Sequence, residues 1–347
     1  MATVERHSVN PIKNFTPSWF AAVMGTGILA MTSMFYSSYL PFLQYVAQGL
    51  FYFNVALFGV LLVPCVMRWI FYRADALRDL NHPVIANFYP TLPVGMLVLA
   101  SDFMVIGKNF QVGVWFWMIG SALTVVFGLL VPYIMFKGEH VTLDHINPAW
   151  FIPPVGLIVI PIAGSLVIGH FSGLANEWVI FVNYFGWGAG FFLYLALLAI
   201  SMYRFILHRP LPNVLAPTVW INLGPIGAGT VALLNIINHC CFIADKEPFF
   251  VIGFFFWGFG VWWVAMAIML TIHYIRRLKL PYVMSWWAFT FPLGAYVAAT
   301  HLVAQRFSIH LVDHFGFALY LLLFFMWAAT LVNTVLHAAK GDLFRGG

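Results

Sequence analysis

Charged side chains are scarce in this sequence, with Asp, Glu, Lys and Arg together making up 8% of its 347 residues. A soluble globular domain usually has roughly a quarter charged residues, so this scarcity excludes an ordinary soluble domain. Hydrophobic residues make up 63% of the chain instead. The net charge of +5 is spread over many short loops, which disfavours nucleic acid as a partner because such sites cluster their basic residues. The composition therefore predicts an integral membrane protein.

Cysteine, long polar loops and a leader sequence are also lacking. The chain has 3 cysteines, all in or beside apolar runs, and their spacing matches neither a disulfide framework nor a metal site. Residues 1–15 are polar and lack the apolar core of a cleavable signal peptide. We therefore expect no metal, no cofactor and no cleaved leader, so that any function must lie within the membrane.

Nearly uncharged apolar runs are long enough to cross a bilayer, which takes roughly 20 residues. Charged residues lie outside these runs or at their edges, with Asp102 the furthest inside. We predict an all-α integral membrane domain at 16–338, flanked by cytoplasmic tails at 1–15 and 339–347. The ten predicted spans are 17–37, 43–67, 84–104, 112–136, 149–169, 178–203, 214–241, 249–275, 282–304 and 315–337.

The basic residues predict the orientation of these spans. Of the 16 Lys and Arg residues, Lys108, Lys246 and Arg306 fall on one side, and the other thirteen fall on the side of the termini. Cytoplasmic loops are enriched in Lys and Arg, so both termini are predicted to be cytoplasmic. We expect a multi-pass protein of the bacterial inner (plasma) membrane.

A proline-glycine pattern recurs in the third, fifth, seventh and ninth spans, at intervals of roughly 60 to 70 residues. The first span has Gly25-Thr26-Gly27 in a similar place, without proline. Because each repeat unit holds two spans, the pattern predicts five tandem helical hairpins whose odd helix is interrupted. The four copies are Pro93-Val94-Gly95, Pro154-Val155-Gly156, Pro225-Ile226-Gly227 and Pro292-Leu293-Gly294.

Interrupted helices have a consequence inside a membrane, because freed backbone groups must face protein or a water-filled cavity. Five parallel interrupted helices would form an inner ring around a central pore, with the smoother even helices outside. Beyond each interruption the half-helix presents a positive dipole end, which attracts anions. The alternative interpretation is that proline and glycine only kink the helices and allow close packing.

Polar residues in the predicted core are uncharged, since Asp, Glu, Lys and Arg are absent from it. Cation transporters and proton-coupled pumps usually place a carboxylate there, so this absence favours a neutral or anionic solute. Thr26, Thr91, Asn222 and Thr290 are polar candidates on the odd helices. Each of them singly could instead bond its own backbone or a neighbouring helix.

Phe291 is the aromatic residue that directly precedes a repeat proline, where the other copies have Leu92, Pro153 and Gly224. A single ring at the depth of a pathway can plug a narrow lumen by its size and by excluding water. Ordinary helix packing is the alternative in a chain with 36 phenylalanines.

Two histidines raise a different class of function, a haem or metal redox protein of the membrane. Paired histidines within a membrane can hold a haem iron. His239 and His301 lie in different spans and have no ligand spacing, so the sequence disfavours this interpretation.

Four local runs resemble the tellurite-resistance/dicarboxylate transporter family, which includes bacterial TehA, fungal malate and sulfite transporters, and the slow-type anion channels of plants. The resemblance covers about 15–340 in the number of spans and the placement of interruptions. It implies ten helices around a central pore, commonly assembled as a trimer, with Phe291 as the gate. The runs are Asn81-His82-Pro83 with Asn87-Phe88, Asn147-Pro148-Ala149-Trp150, Leu223-Gly224-Pro225-Ile226-Gly227, and Trp286 through Gly294.

We therefore expect a membrane anion channel or transporter and not an enzyme. The expected substrates are small anions, namely a C4-dicarboxylate such as malate, sulfite, or chloride and nitrate. A homotrimer in contact with membrane lipid is the expected assembly. A proton-coupled symporter or exporter is the alternative. The expected pathway is gated by Phe291 and lined by Gly25, Thr26, Thr91, Pro93, Pro154, Asn222, Pro225 and Thr290.

Overall fold

The protein is built from long apolar helices, as its computed structural model describes for residues 10–138, 141–240, 242–278 and 280–344. Ten helices in these residues are long and apolar enough to cross a membrane, which confirms the predicted number of spans. The tails predicted at 1–15 and 339–347 lie partly outside the described residues. The helices are α1 (Pro17–Ser38), α2 (Leu43–Phe71), α3 (Ile85–Val105), α4 (Phe110–Lys137), α5 (Pro148–Val167), α6 (Leu174–Leu207), α7 (Asn213–His239), α8 (Glu247–Arg277), α9 (Met284–Phe307) and α10 (His310–Ala339).

Every odd helix is composite, with a 3₁₀ segment followed by an α-helical segment of 13 to 17 residues. At 1.5 Å per residue the α-helical part spans about 20 to 26 Å. The 3₁₀ segments are Pro17–Phe20, Ile85–Phe88, Pro148–Phe151, Asn213–Asn222 and Met284–Phe289, and the α-helical segments begin at Ala21, Thr91, Ile152, Leu223 and Phe291.

The repeat prolines lie at the start of these α-helical segments. Pro93, Pro154 and Pro225 occupy the third α-helical position and Pro292 the second. The first N–H groups of an α-helix have no partner within it, so proline loses no hydrogen bond there. The interruption predicted from the sequence is therefore a change from 3₁₀ to α geometry. In α1 it falls at Ala21, ahead of the Gly25-Thr26-Gly27 run.

The odd helices form a closed inner ring. In ring order α1 contacts α3, α3 contacts α5, α5 contacts α7, α7 contacts α9, and α9 returns to α1. Each odd helix also packs on the even helix that follows it, which gives the five hairpins expected from the repeat. The contact between α7 and α9 is close because a Cβ on Gly227 would lie 2.4 Å from the backbone carbon of Ala295.

The even helices form the outer layer, and four of them, α4, α6, α8 and α10, are bound to the ring by tryptophan side chains. The indole Nε1 of Trp117 in α4 donates to Ile160 O of α5 at 3.0 Å, and the indole Nε1 of Trp187 in α6 donates to Gly229 O of α7 at 3.0 Å. The same bond recurs from Trp257 to Thr300 Oγ1 at 2.9 Å and from Trp327 to Thr26 Oγ1 at 3.0 Å. These tryptophans recur every 70 or so residues, a second mark of the repeat. Each joins one hairpin to the odd helix of the next.

Candidate functional site

Two cavities lie inside the ring, and their described lining residues all come from the odd helices. The first, the large cavity, has a volume of about 170 Å³ and lies between the later halves of the five α-helical segments. Its lining is almost wholly apolar, with Ser101, Asp102 and Asn235 as the polar members. Such a lining disfavours water in a narrow passage.

The second, the small cavity, has a volume of about 40 Å³ and lies where the α-helical segments begin. Its lining includes the first α-helical residue of four odd helices: Ala21, Thr91, Ile152 and Phe291. The fifth odd helix, α7, contributes its second α-helical residue, Gly224. Five α-helical segments thus begin around one space.

Phe291 belongs to the lining of both cavities. It is the first residue of the α-helical segment of α9 and is 4% exposed. It is the residue that the two linings share, so the two spaces adjoin at this residue inside the ring of odd helices.

Thr91 also lines the small cavity. Its hydroxyl oxygen lies 2.7 Å from the carbonyl oxygen of Pro17 and 2.6 Å from that of Phe88. The hydroxyl therefore holds the entry of α3 against α1, while the residue as a whole forms part of the cavity wall.

Three other polar candidates lie at contacts between helices, outside the lining of either cavity. The Thr26 hydroxyl accepts the indole N–H of Trp327 from α10. The Thr290 hydroxyl donates to the carbonyl oxygen of Trp287 at 2.8 Å. Asn222 is fully buried, and its side-chain N and O have no hydrogen-bond partner. These side chains lie outside the cavities because of the direction in which each leaves its helix, which the sequence pattern does not specify.

The glycine and proline candidates are buried in the ring and are likewise absent from the lining of both cavities. A Cβ on Gly25 would lie 2.1 Å from Thr290 Oγ1, so glycine there allows α1 and α9 to touch. Pro93, Pro154 and Pro225 lie in the first turn of their α-helical segments. They are buried there and do not themselves line the cavities.

The expectation that acidic and basic side chains are absent from the core is wrong at Asp102. This residue is 0% exposed, lies within α3 and belongs to the lining of the large cavity. The predicted span ended at 104, and α3 continues to Val105 with Asp102 in its last turn. The signal that could have found it was a single carboxylate inside the edge of an apolar run.

The two histidines considered for haem make other contacts. His301 Nδ1 lies 3.0 Å from Asp313 Oδ1, and its ring stacks on Phe35 with centroids 5.3 Å apart. His239 is exposed at the end of α7, with Nδ1 2.9 Å from the carbonyl oxygen of Asn235. The structure thus gives each histidine a separate partner.

The fold and the site together define a multi-pass membrane protein with two cavities inside its ring of odd helices and one aromatic side chain that lines both. Residues 14–335 match the family model described as voltage-dependent anion channel (SLAC1). The chain therefore belongs to this family, as the resemblance in the sequence indicated.

Several curated proteins are similar to the chain over nearly its whole length. An uncharacterized transporter of Methanocaldococcus jannaschii is 61% identical, over 96% of this chain and 96% of the relative. A sulfite efflux pump of Trichophyton rubrum is 27% identical, over 96% of this chain and 93% of the pump. A malic acid transport protein of Schizosaccharomyces pombe is 23% identical, over 95% of this chain and 82% of that protein. The family is one of channels and transporters.

Proposed function

We propose that this protein passes small anions along the axis of the odd-helix ring and that Phe291 is its gate. The observation that carries the proposal is that Phe291 lines both the large and the small cavity. A ring at the boundary of two cavities would block passage between them by its size. An apolar constriction also excludes water, and hydrated ions with it.

Selection for anions is attributed to helix dipoles. The small cavity receives the N-termini of five α-helical segments, whose partial positive charges favour an anion without a buried basic side chain. Thirteen of the 16 basic residues are predicted on the same side as these helix starts, which raises the local anion concentration. Weak binding of this kind suits rapid passage.

The substrate class is narrowed by relatives named for sulfite efflux and malic acid transport. We infer sulfite or a C4-dicarboxylate such as malate, with chloride or nitrate as further candidates. In this mechanism an anion enters the small cavity, rotation of the Phe291 ring joins the cavities, and the anion leaves through the large cavity.

The test is anion flux in proteoliposomes for the wild type and Phe291→Ala, with chloride, nitrate, sulfite and malate. Removal of the ring should raise flux of the preferred anion at least about tenfold, because the apolar plug is lost. Phe255→Ala is the matched control, since it removes the same ring from a side chain on α8 that is 74% exposed. Equal flux in the wild type and Phe291→Ala, with both above empty liposomes, would contradict the gate.

We also propose that the protein sits in the plasma membrane with both termini cytoplasmic and that it assembles as a homotrimer. The even helices supply the surface for lipid and neighbouring subunits, with many exposed aromatic side chains. Native mass spectrometry of the protein in detergent tests the assembly, and labelling of single cysteines placed beside Lys108 tests the orientation. A monomer, or a label from the cytoplasmic side, would refute the respective proposal.

A further inference from the structure

The large cavity has a carboxylic acid in its wall that the proposed gating mechanism does not use. Asp102 is the acidic or basic residue in that lining, and each of its side-chain oxygens is covered and lacks a hydrogen-bond partner. A buried carboxylate without a partner is strongly disfavoured, so such a group neutralises itself instead. These surroundings therefore favour the protonated, uncharged form of the Asp102 carboxyl.

The immediate neighbours of the carboxyl come from two other helices, α1 and α2. A Cβ on Gly27 of α1 would lie 2.7 Å from Asp102 Oδ2 and 2.9 Å from Asn54 Nδ2. Asn54 of α2 is also fully buried, and its amide N and O also lack partners. A carboxyl and an amide thus face the same small space beside the cavity. Glycine at position 27 leaves that space open.

The helix backbone adds a second argument for a neutral Asp102. The residue lies in the last turn of α3, and its own carbonyl accepts the N–H groups of Ile106 at 2.8 Å and Gly107 at 2.9 Å. The C-terminal end of a helix carries partial negative charge. An ionised carboxylate there is repelled by its own helix, whereas a protonated one is not.

The described groups that titrate on the helices around Asp102 have other surroundings. On α1, Tyr36 packs on His301 and Tyr320. On α2, Tyr45 and Tyr52 are exposed, and Arg68, near Cys65 at the far end, pairs with Asp79. On α4, Tyr133 and Lys137 lie at the far end, and α5 has no titratable group.

The titratable groups across the cavity also have partners or are exposed. Tyr296 donates to Trp257 O, His301 contacts Asp313, and Arg306 contacts Glu247. His239 is exposed, and Lys108 lies in the loop beyond α3. No ion pair is formed by Asp102 within the described residues. Its proton therefore decides the local charge.

We propose that Asp102 is a proton-binding site in the wall of the large cavity and that an anion occupies this cavity when Asp102 is protonated. The inference rests on the proposed anion pathway. An ionised Asp102 repels an anion across a medium of low dielectric constant, where the repulsion is much stronger than in water. The neutral acid removes that repulsion. Anion passage is then linked to proton concentration through one residue.

The first experiment measures the proton on Asp102 and needs no transport. Infrared spectra of purified wild type and Asp102→Asn are compared in detergent as pH is varied. The wild type should show the carbonyl stretch of a protonated acid that is missing in Asp102→Asn, which has nearly the same shape as the neutral acid. Asp245→Asn, at an exposed loop position, should keep the band. A wild type without this band at neutral pH would overturn the proposal.

The second experiment measures chloride flux in proteoliposomes, because chloride does not itself titrate in the range used. Wild-type flux should fall about tenfold across the pH range in which the infrared band of the Asp102 acid disappears, because the ionised carboxylate then repels the anion. Flux through Asp102→Asn should be high and change less than about twofold. Asp245→Asn should follow the wild type.

The two experiments separate failure of this proposal from failure of the anion pathway. A protonated-acid band together with no flux in any variant would refute the pathway and keep the proton site. Flux in Asp102→Asn that keeps the wild-type pH profile would refute the proton linkage and keep the pathway.

Discussion

The odd and even helices of this protein differ both in composition and in burial, because four of the five odd helices have a lower mean hydropathy than every even helix. Between 67% and 94% of the most apolar stretch of each odd helix is buried, against 22% to 39% for the even helices. The odd helices are interrupted by 3₁₀ segments, and the even ones continue for 28 to 34 residues. Interruption is tolerated where protein surrounds the backbone. The helix that can be broken is therefore the helix that can enclose a pathway.

The largest effect on stability is expected where two odd helices touch. Gly227→Ala in α7 places a Cβ against the backbone of Ala295 and Tyr296, which cannot move aside as a side chain can. Overpacking of this kind costs about 1 to 3 kcal/mol or more. The measurement is the thermal midpoint of the detergent-purified protein.

The matched control for this prediction is Gly258→Ala on the even helix α8. A Cβ there meets nothing within 4 Å, so the change should leave stability within about 1 kcal/mol of the wild type. Equal destabilisation by both substitutions would break the distinction between inner and outer helices.

An intermediate effect is expected at Thr26, where an odd helix meets an even one. Thr26→Val removes the acceptor of the Trp327 indole N–H and leaves that group buried without a partner, at a cost of about 1 to 3 kcal/mol. Anion flux should stay at the wild-type level, because Thr26 lies outside both cavity linings.

A double-mutant cycle sharpens this prediction. In a Trp327→Phe background the same threonine substitution should have almost no further effect on stability, because the shared bond is already gone. A flux change specific to Thr26→Val would instead place this residue on the pathway, as the sequence predicted.

The smallest effect is expected outside the membrane, at the connection between α4 and α5. Asp144 Oδ1 lies 2.6 Å from His208 Nε2 at the end of α6, and this hydrogen bond lowers the pKa of the Asp144 carboxyl from its ordinary value. A lowered folded-state pKa adds stability above the unfolded pKa, about 3.9. That stability is lost as pH falls through the folded value.

Thermal midpoints of the wild type and Asp144→Asn should therefore differ slightly above about pH 4 and converge below it. His208→Ala should remove the difference, since it removes the partner. A difference in thermal midpoint that grows as pH falls would contradict the expected direction of the pH dependence.

Much of the architecture was predictable because it depends on one-dimensional features of the chain. Ten apolar runs, the proline-glycine repeat and the even-odd alternation all have direct counterparts in the structure. The W-x-x-G pattern at Trp117, Trp187 and Trp257 was missed. A search for period alone would have found it, because it recurs at the same interval of about 70 residues.

The site was less predictable, and the odd helices themselves explain why. A polar face on a helix predicts which side of it faces water, but a helix that is apolar all round gives no such prediction. Thr26 and Thr91 are both buried threonines on odd helices, yet one meets Trp327 and the other lines the small cavity. Their rotation about the helix axis, and not their residue type, separates them.

The sequence by itself determined the number of spans, their grouping in hairpins and the places where helices are interrupted, because length, hydropathy and proline act locally. Only the tertiary structure decided that the odd helices close into a ring, that Phe291 lines both cavities inside it, and that Asp102 lies in the wall of the larger. Those features depend on contacts between helices far apart in the chain. A local sequence pattern therefore cannot predict them.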